Sequence, residues 1–168
     1  MSDAVLALGG ARSQGYVTVA EIGPVGMITL RGDLSSKSLQ KAATAVSCTG
    51  FPGLREAKVD GDKGLLWMSP DEVMVLCPYA EASAATAQLS EVLSGEHALA
   101  VNVSDARALF QLSGAQVREV IAKLAPVDMA PEAFAAGQVR RTRFAQVAAA
   151  FWLVDEQTAQ VVCFRSVA

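Results

Sequence analysis

Met27-Ile28-Thr29-Leu30-Arg31-Gly32 and, further along, Leu109-Phe110-Gln111-Leu112-Ser113-Gly114 are two runs built to one pattern. In each, an alternating apolar stretch ends at Leu-x-Gly and a helical pattern follows at once. That order predicts a strand handing over to a helix through a tight glycine turn. Leu30, Gly32, Leu112 and Gly114 therefore mark one supersecondary unit used twice.

Outward from the first run, Tyr16–Glu21 alternates and passes through Gly23-Pro24 and Gly26 into the strand, which predicts two strands and a turn. Asp33 or Ser35 is placed to cap the following helix, whose Leu39, Ala42, Ala43 and Val46 recur at helical spacing. Residues 50–64 are rich in Gly, Pro and charge and read as a surface connection. Two apolar strands on either side of Ser69-Pro70-Asp71-Glu72 predict a hairpin, because Pro70 presets φ for a type I turn. A second helix is predicted from near Glu81 to Leu93, with Ala82, Ala85, Leu89, Val92 and Leu93 inward.

The second run, with a strand before it at Leu99–Val103, leads into Ser113-Gly114-Ala115-Gln116, which has the form of a capping box. Val117, Val120, Ile121 and Leu124 form the stripe of the helix beyond it, which ends at Pro126. Strands are predicted at residues 142–147, 149–154 and 159–165, with Asp155-Glu156-Gln157 as a hairpin loop. The fold class is α+β, two strand-helix-hairpin halves arranged as a pseudo-repeat, with helices packed on antiparallel or mixed sheet.

The chain has 168 residues, 52% of them hydrophobic, enough to bury a core, and residues 16–168 read as a single domain. A net charge of -3 leaves no basic excess for a phosphate backbone, so nucleic acid is excluded as a partner. The longest apolar run, Val147–Val154, falls far short of the roughly 20 residues of a membrane-spanning helix. No positive n-region precedes Ala4–Leu8, and the expected location is the cytoplasm.

The candidates for chemistry are sparse. His97 is the only histidine and reads as a solvated loop residue, so neither a zinc set nor a Ser-His-Asp triad can be assembled. Cys48, Cys77 and Cys163 lie far apart in apolar surroundings and read as buried thiols in a reducing compartment. Asp60-Gly61-Asp62-Lys63-Gly64 begins like a calcium loop, but Leu65 stands where that loop requires glycine. Asp71 and Glu72 are adjacent, so a strand would point them to opposite faces, and they read as turn residues.

Gly9-Gly10-Ala11-Arg12-Ser13-Gln14-Gly15 lacks the Gly-Lys-Ser/Thr ending of a phosphate cradle, and residues 1–15 read as a flexible N-terminal arm. No convergent polar constellation emerges from a rather apolar chain, which points to surface covered by another chain. The candidate interface residues are Val5, Leu6 and Leu8 on the arm and the basic run Arg140, Arg141 and Arg143, which reads either as an exposed strand start or as a docking surface for an acidic partner. Trp67, Phe151 and Trp152, near strand ends, would suit as further anchors, although most of these aromatics are expected in the core.

Met27–Asp33, Leu66–Glu72, Leu112-Ser113-Gly114 through Ala122-Lys123-Leu124-Ala125-Pro126-Val127-Asp128, then Phe134 and Gly137 stand in an order that resembles the gamma subunit family of heterotetrameric sarcosine oxidase. The likeness runs from about residue 16 to the end of the sequence given. It implies a fold similar to the folate-binding domain of the glycine-cleavage aminomethyltransferase. It also implies a place in a cytoplasmic complex that demethylates sarcosine to glycine, passing the one-carbon unit to tetrahydrofolate and reducing oxygen to hydrogen peroxide. In that family FAD, FMN, NAD and the folate site belong to the alpha and beta subunits and zinc to delta.

The resemblance thus implies no cofactor and no catalytic residue on this chain, and a structural role with the alpha subunit as chief partner and beta and delta in the same complex. The alternative is a free-standing folate-binding or one-carbon transfer domain with a pocket between its halves. A third reading, an assembly or iron-sulfur-repair factor of the same fold, calls for a loop cysteine motif, which Cys48, Cys77 and Cys163 do not form.

Overall fold

The computed structural model of the protein describes residues 4–168. In chain order the elements are β1 (Arg12–Gln14), β2 (Thr18–Ile22), β3 (Val25–Arg31), α1 (Lys37–Ser47), β4 (Ala57–Asp60), β5 (Lys63–Ser69) and β6 (Glu72–Pro78). There follow α2 (Ala82–Val92), β7 (Leu99–Asn102), β8 (Arg107–Ser113), α3 (Val117–Leu124), β9 (Val139–Phe144), β10 (Val147–Asp155) and β11 (Thr158–Phe164). They fall into two compact units, one spanning Val25–Ser104 and the other made of the segment up to Pro24 together with Asp105–Ala168.

The Val25–Ser104 unit is a five-stranded antiparallel sheet in the order β4-β5-β6-β3-β7, with α1 and α2 on one face. Alternation on β3 sends Ile28 and Leu30 to that face, where they meet Leu39 and Ala43 of α1 and Ala82, Ala85 and Leu89 of α2. Ser36 caps α1 by accepting the N–H of Leu39, a contact worth about 1 kcal/mol. Asp33 instead accepts the N–H and hydroxyl of its neighbour Ser35, so neither of the two expected caps is used. Residues 57–60, expected within a surface connection, form β4, and Asp60 pairs with Lys63 across a two-residue turn carrying Gly61 at φ 62°. The calcium-like Asp60-Gly61-Asp62 run is thus hairpin chemistry. On α2, Val92 points outward at 57% exposure, contrary to the expected stripe, while Leu93 is buried.

The second unit is a six-stranded sheet in the order β1-β2-β8-β11-β10-β9, antiparallel throughout. Among the described residues α3 is its one α-helix, and Val117 and Ile121 bury against Leu112, Phe151, Leu153 and Ala159. The expected capping box is absent: Ser113 stays in β8, paired with Thr18 and Thr158, and α3 begins at Val117 with no side-chain cap. The strand before residue 147 starts early, at Val139, and ends in a turn at Ala145, which takes a positive φ of 51°. The expected strands at Tyr16–Glu21 and Met27–Arg31 are present as β2 and β3, with β2 starting only at Thr18, but they belong to different sheets.

The internal order of the two units corresponds. Reading β7-β3-β6-β5-β4 against β2-β8-β11-β10-β9, each unit has a strand leading into a helix at its second position and an antiparallel three-strand meander beyond it. In both, a two-residue loop closes the hairpin next to a break in register, between Trp67 and Ser69 in one and between Leu153 and Asp155 in the other. Among the described residues no helix is long and apolar enough to cross a membrane.

Candidate functional site

Residues 1–3 of the expected arm lie outside the described residues. The rest of the arm carries hydrogen bonds that explain its glycines. Gly9 and Gly10 take positive φ, 63° and 78°, and this turn presents the N–H groups of Leu8 and Gly10 to one oxygen of Glu21, each at 2.9 Å. Successive backbone amides curled by αL glycines form an anion cradle, here occupied by the chain's own buried carboxylate. Glu21 Oε2 is the acceptor; Oε1 is buried without a hydrogen-bond partner. Arg165 secures the segment further by donating to the carbonyls of Val5 at 2.6 Å and Leu6 at 3.2 Å.

Val5 and Leu8 remain exposed, at 68% and 49%, and Leu6 is half-buried. The three arginines do not form one patch, because strand alternation divides them. Arg140 pairs with Phe151 on the α3 side of the sheet, and its guanidinium lies 4.9 Å from the centre of the Phe134 ring. Arg141 and Arg143 pair with Ala150 and Ala148 on the opposite face, and both are exposed. Phe151 and Trp152 are buried and Trp67 is half-buried, so Phe151 and Trp152 are core residues and not exposed anchors.

On the α3 side of the same sheet lies an apolar cavity of about 210 Å³ that is open to solvent on one side, where Leu124 and Val167 are exposed. Val19, Phe110, Leu124, Phe144 and Val161 are among its walls, with the Cys163 thiol the one heteroatom-bearing side chain. Burial pushes the pKa of Cys163 up, and it does the same to Cys77 in the other unit. Cys48 departs from the expectation of three buried thiols: it is exposed at the C-terminal end of α1, in the left-handed region at φ 57°. His97 is an exposed loop residue. Among the described residues no three His, Cys, Asp or Glu side chains stand close enough to hold a metal ion.

The sequence model described as "Sarcosine oxidase, gamma subunit family" matches residues 31–168. The chain belongs to the sarcosine oxidase gamma subunit family. One member, sarcosine oxidase subunit gamma of Corynebacterium sp. (strain P-1), is 29% identical over 147 residues, covering 86% of this chain and 70% of that protein. A chain of the heterotetrameric sarcosine oxidase from Corynebacterium sp. U-96, solved in complex with pyrrole 2-carboxylate, superposes with a TM-score of 0.80 at 25% identity over 92% of this chain and 80% of its own. The glycine cleavage system aminomethyltransferase T from Bartonella henselae shares the fold, with a TM-score of 0.61 at 16% identity over 88% of this chain and 42% of that one.

Within this gamma-family chain a second side chain, besides Glu21, carries no signal in the sequence. Arg118 on α3 donates to the carbonyls of Phe134 at 2.7 Å and Met129 at 3.0 Å and pairs with Glu156 at 2.7 Å. It fixes the loop that delivers Phe134, fully buried, against Phe151 in an edge-to-face contact with ring centres 5.5 Å apart. Nothing in the sequence around it announces three acceptors from distant segments.

Proposed function

We propose that this chain is the non-catalytic gamma subunit of a heterotetrameric sarcosine oxidase, serving its assembly. The observation that carries this reading is the correspondence over 92% of the chain with a chain of the heterotetrameric enzyme. Oxidative demethylation of sarcosine, with tetrahydrofolate and oxygen, is then carried by the other subunits. FAD, FMN, NAD, tetrahydrofolate and zinc reside on those subunits. The apolar character of the cavity supports this division of labour, since a flavin phosphate or a pterin ring requires charged and hydrogen-bonding groups that its lining does not offer.

The alpha subunit is the chief partner in this proposal, and the complex works in the cytoplasm. Val5, Leu8, Arg141 and Arg143, exposed as they are, are the docking residues of first choice. Arg140, stacked on Phe134, contributes to the fold of this chain instead. We also infer that the two units are copies of one ancestral unit, which their shared strand order and hairpin irregularity support.

The test is expression of the alpha, beta and delta subunits with and without this chain. The expected result is more assembled enzyme in its presence and unchanged turnover per flavin in what assembles, while the isolated chain shows no flavin spectrum and no sarcosine oxidation. A stoichiometric flavin spectrum from the isolated chain, or micromolar binding of tetrahydrofolate to it, would refute the proposal.

A further inference from the structure

The unit containing α3 lacks something that its counterpart has. In the Val25–Ser104 unit the sheet face is roofed by two helices, α1 over β5 and β6 and α2 over β3 and β7. In the other unit α3 follows β8 as α1 follows β3, packing Val117 on Leu112 of β8, and among the described residues no second α-helix joins it on that sheet. The N-terminal segment covers part of that face through Ala7, which packs on the core. What remains is the cavity of about 210 Å³, with Val19 of β2, Phe110 of β8, Val161 and Cys163 of β11 and Leu124 of α3 on its walls.

We propose that this cavity is a binding site for one small, uncharged, apolar molecule of about the size of a substituted benzene. Size and polarity set the ligand class. An apolar cavity of about 150 Å³ admits benzene, so 210 Å³ admits a ring with one or two methyl-sized substituents. A charged or strongly hydrogen-bonding ligand would give up part of its hydration for little return, since no acidic, basic or amide side chain lines the space, whose rim includes the main chain of Val167 and Ala168. The Cys163 thiol stays protonated through burial and offers only a weak donor. An apolar ring recovers dispersion contacts that the facing walls cannot make with each other.

Cys163 supplies the readout. The full chain is treated with methyl methanethiosulfonate, a small neutral thiol reagent, and the adducts are located by mass spectrometry. Toluene is the probe and benzoate the charged control. At a toluene concentration about ten times its Kd, labelling of Cys163 slows about tenfold while that of Cys48 is unchanged, and the thermal midpoint rises. Benzoate does neither. Ala149→Leu, which fills the space from β10, removes the toluene effect on the midpoint; should that variant fail to fold, the labelling competition in the unmodified chain decides alone. Unaltered Cys163 labelling overturns the proposal, as does equal slowing at Cys77, which would report global stabilisation. Full protection of Cys163 in the assembled four-subunit enzyme without probe also overturns it, by assigning the cavity to a partner's side chain.

Discussion

The backbone N–H of Gly114 donates to the carbonyl oxygen of Gln157 over 2.9 Å, fastening the end of β8 to the loop of the β10–β11 hairpin. In the other unit Gly32 does the same to Asp71 over 3.0 Å, at the corresponding place in the β5–β6 hairpin. Gly114 has φ 145° and Gly32 has φ 157°, values that side-chain-bearing residues rarely adopt. A Cβ at Gly32 would also stand 2.8 Å from Leu39 Cδ1 and 3.3 Å from the His97 carbonyl.

Alanine at either glycine is therefore expected to destabilise its unit by about 1–3 kcal/mol. In a chain of this length that corresponds to roughly 2–4 °C in thermal midpoint per kcal/mol. Gly32→Ala falls at the upper end because Leu39 must also move. Midpoints equal to that of the unmodified chain would remove the two glycines from the account of the fold.

Glu21 gives a second expectation. Its carboxylate holds the Leu8 and Gly10 amides, and hydrogen bonds to a charged acceptor contribute about 1.5–3 kcal/mol. Glu21→Ala should release the segment around residues 8–10, read as faster amide exchange there with little change in α3. Exchange that stays slow would mean that Arg165 and apolar contact hold the segment without the carboxylate.

The cysteines predict both reactivity and pH dependence. A bulky charged reagent such as Ellman's should titrate Cys48 alone in the folded chain, with Cys77 and Cys163 reacting only on unfolding. Burial raises the folded pKa of both buried thiols, so above the ordinary thiol pKa of about 8.5 the unfolded chain loses protons that the folded chain keeps. Stability from this source is complete below that pH and declines as pH rises toward the folded values. Denaturation midpoints of Cys77→Ala/Cys163→Ala should therefore fall less steeply with alkaline pH than those of the parent; identical slopes would contradict the assignment.

Arg118 provides a test within the α3 unit. Lysine has a single ammonium that cannot span the Phe134 and Met129 carbonyls while also meeting Glu156 as the guanidinium does. Arg118→Lys should cost about 1–3 kcal/mol and loosen the loop before β9, visible as a lower denaturation midpoint. Phe134→Ala should cost more, about 3–5 kcal/mol, by opening the core beside Phe151.

Elements written by hydrophobic periodicity were legible in the sequence. β3, α1, the β5–β6 hairpin, β8 and α3 all rest on apolar residues at the spacing of their own structure. β4 was not, because Ala57-Lys58-Val59-Asp60 is a short edge strand with only two apolar positions inside a Gly- and Pro-rich stretch. The capping box failed for a tertiary reason: Ser113 is committed to strand pairing on both sides and cannot turn back toward α3.

Among the candidate interface residues, the sequence placed Arg140, Arg141 and Arg143 together. The register against β10 then assigned the first and the other two to opposite faces. The glycines at 9 and 10 looked like a loose arm because their partner, Glu21, becomes visible only when the chain folds back. The cavity had no sequence signal at all, because its walls draw on β2, β8, β11 and α3, segments that only the fold brings together.

The most direct test of the gamma-subunit assignment is native mass spectrometry of the tagged chain purified after co-expression with sarcosine oxidase alpha, beta and delta subunits. The expected species contains one copy of each of the four chains. Recovery of the three other subunits as a complete, active complex with this chain running separately would contradict it.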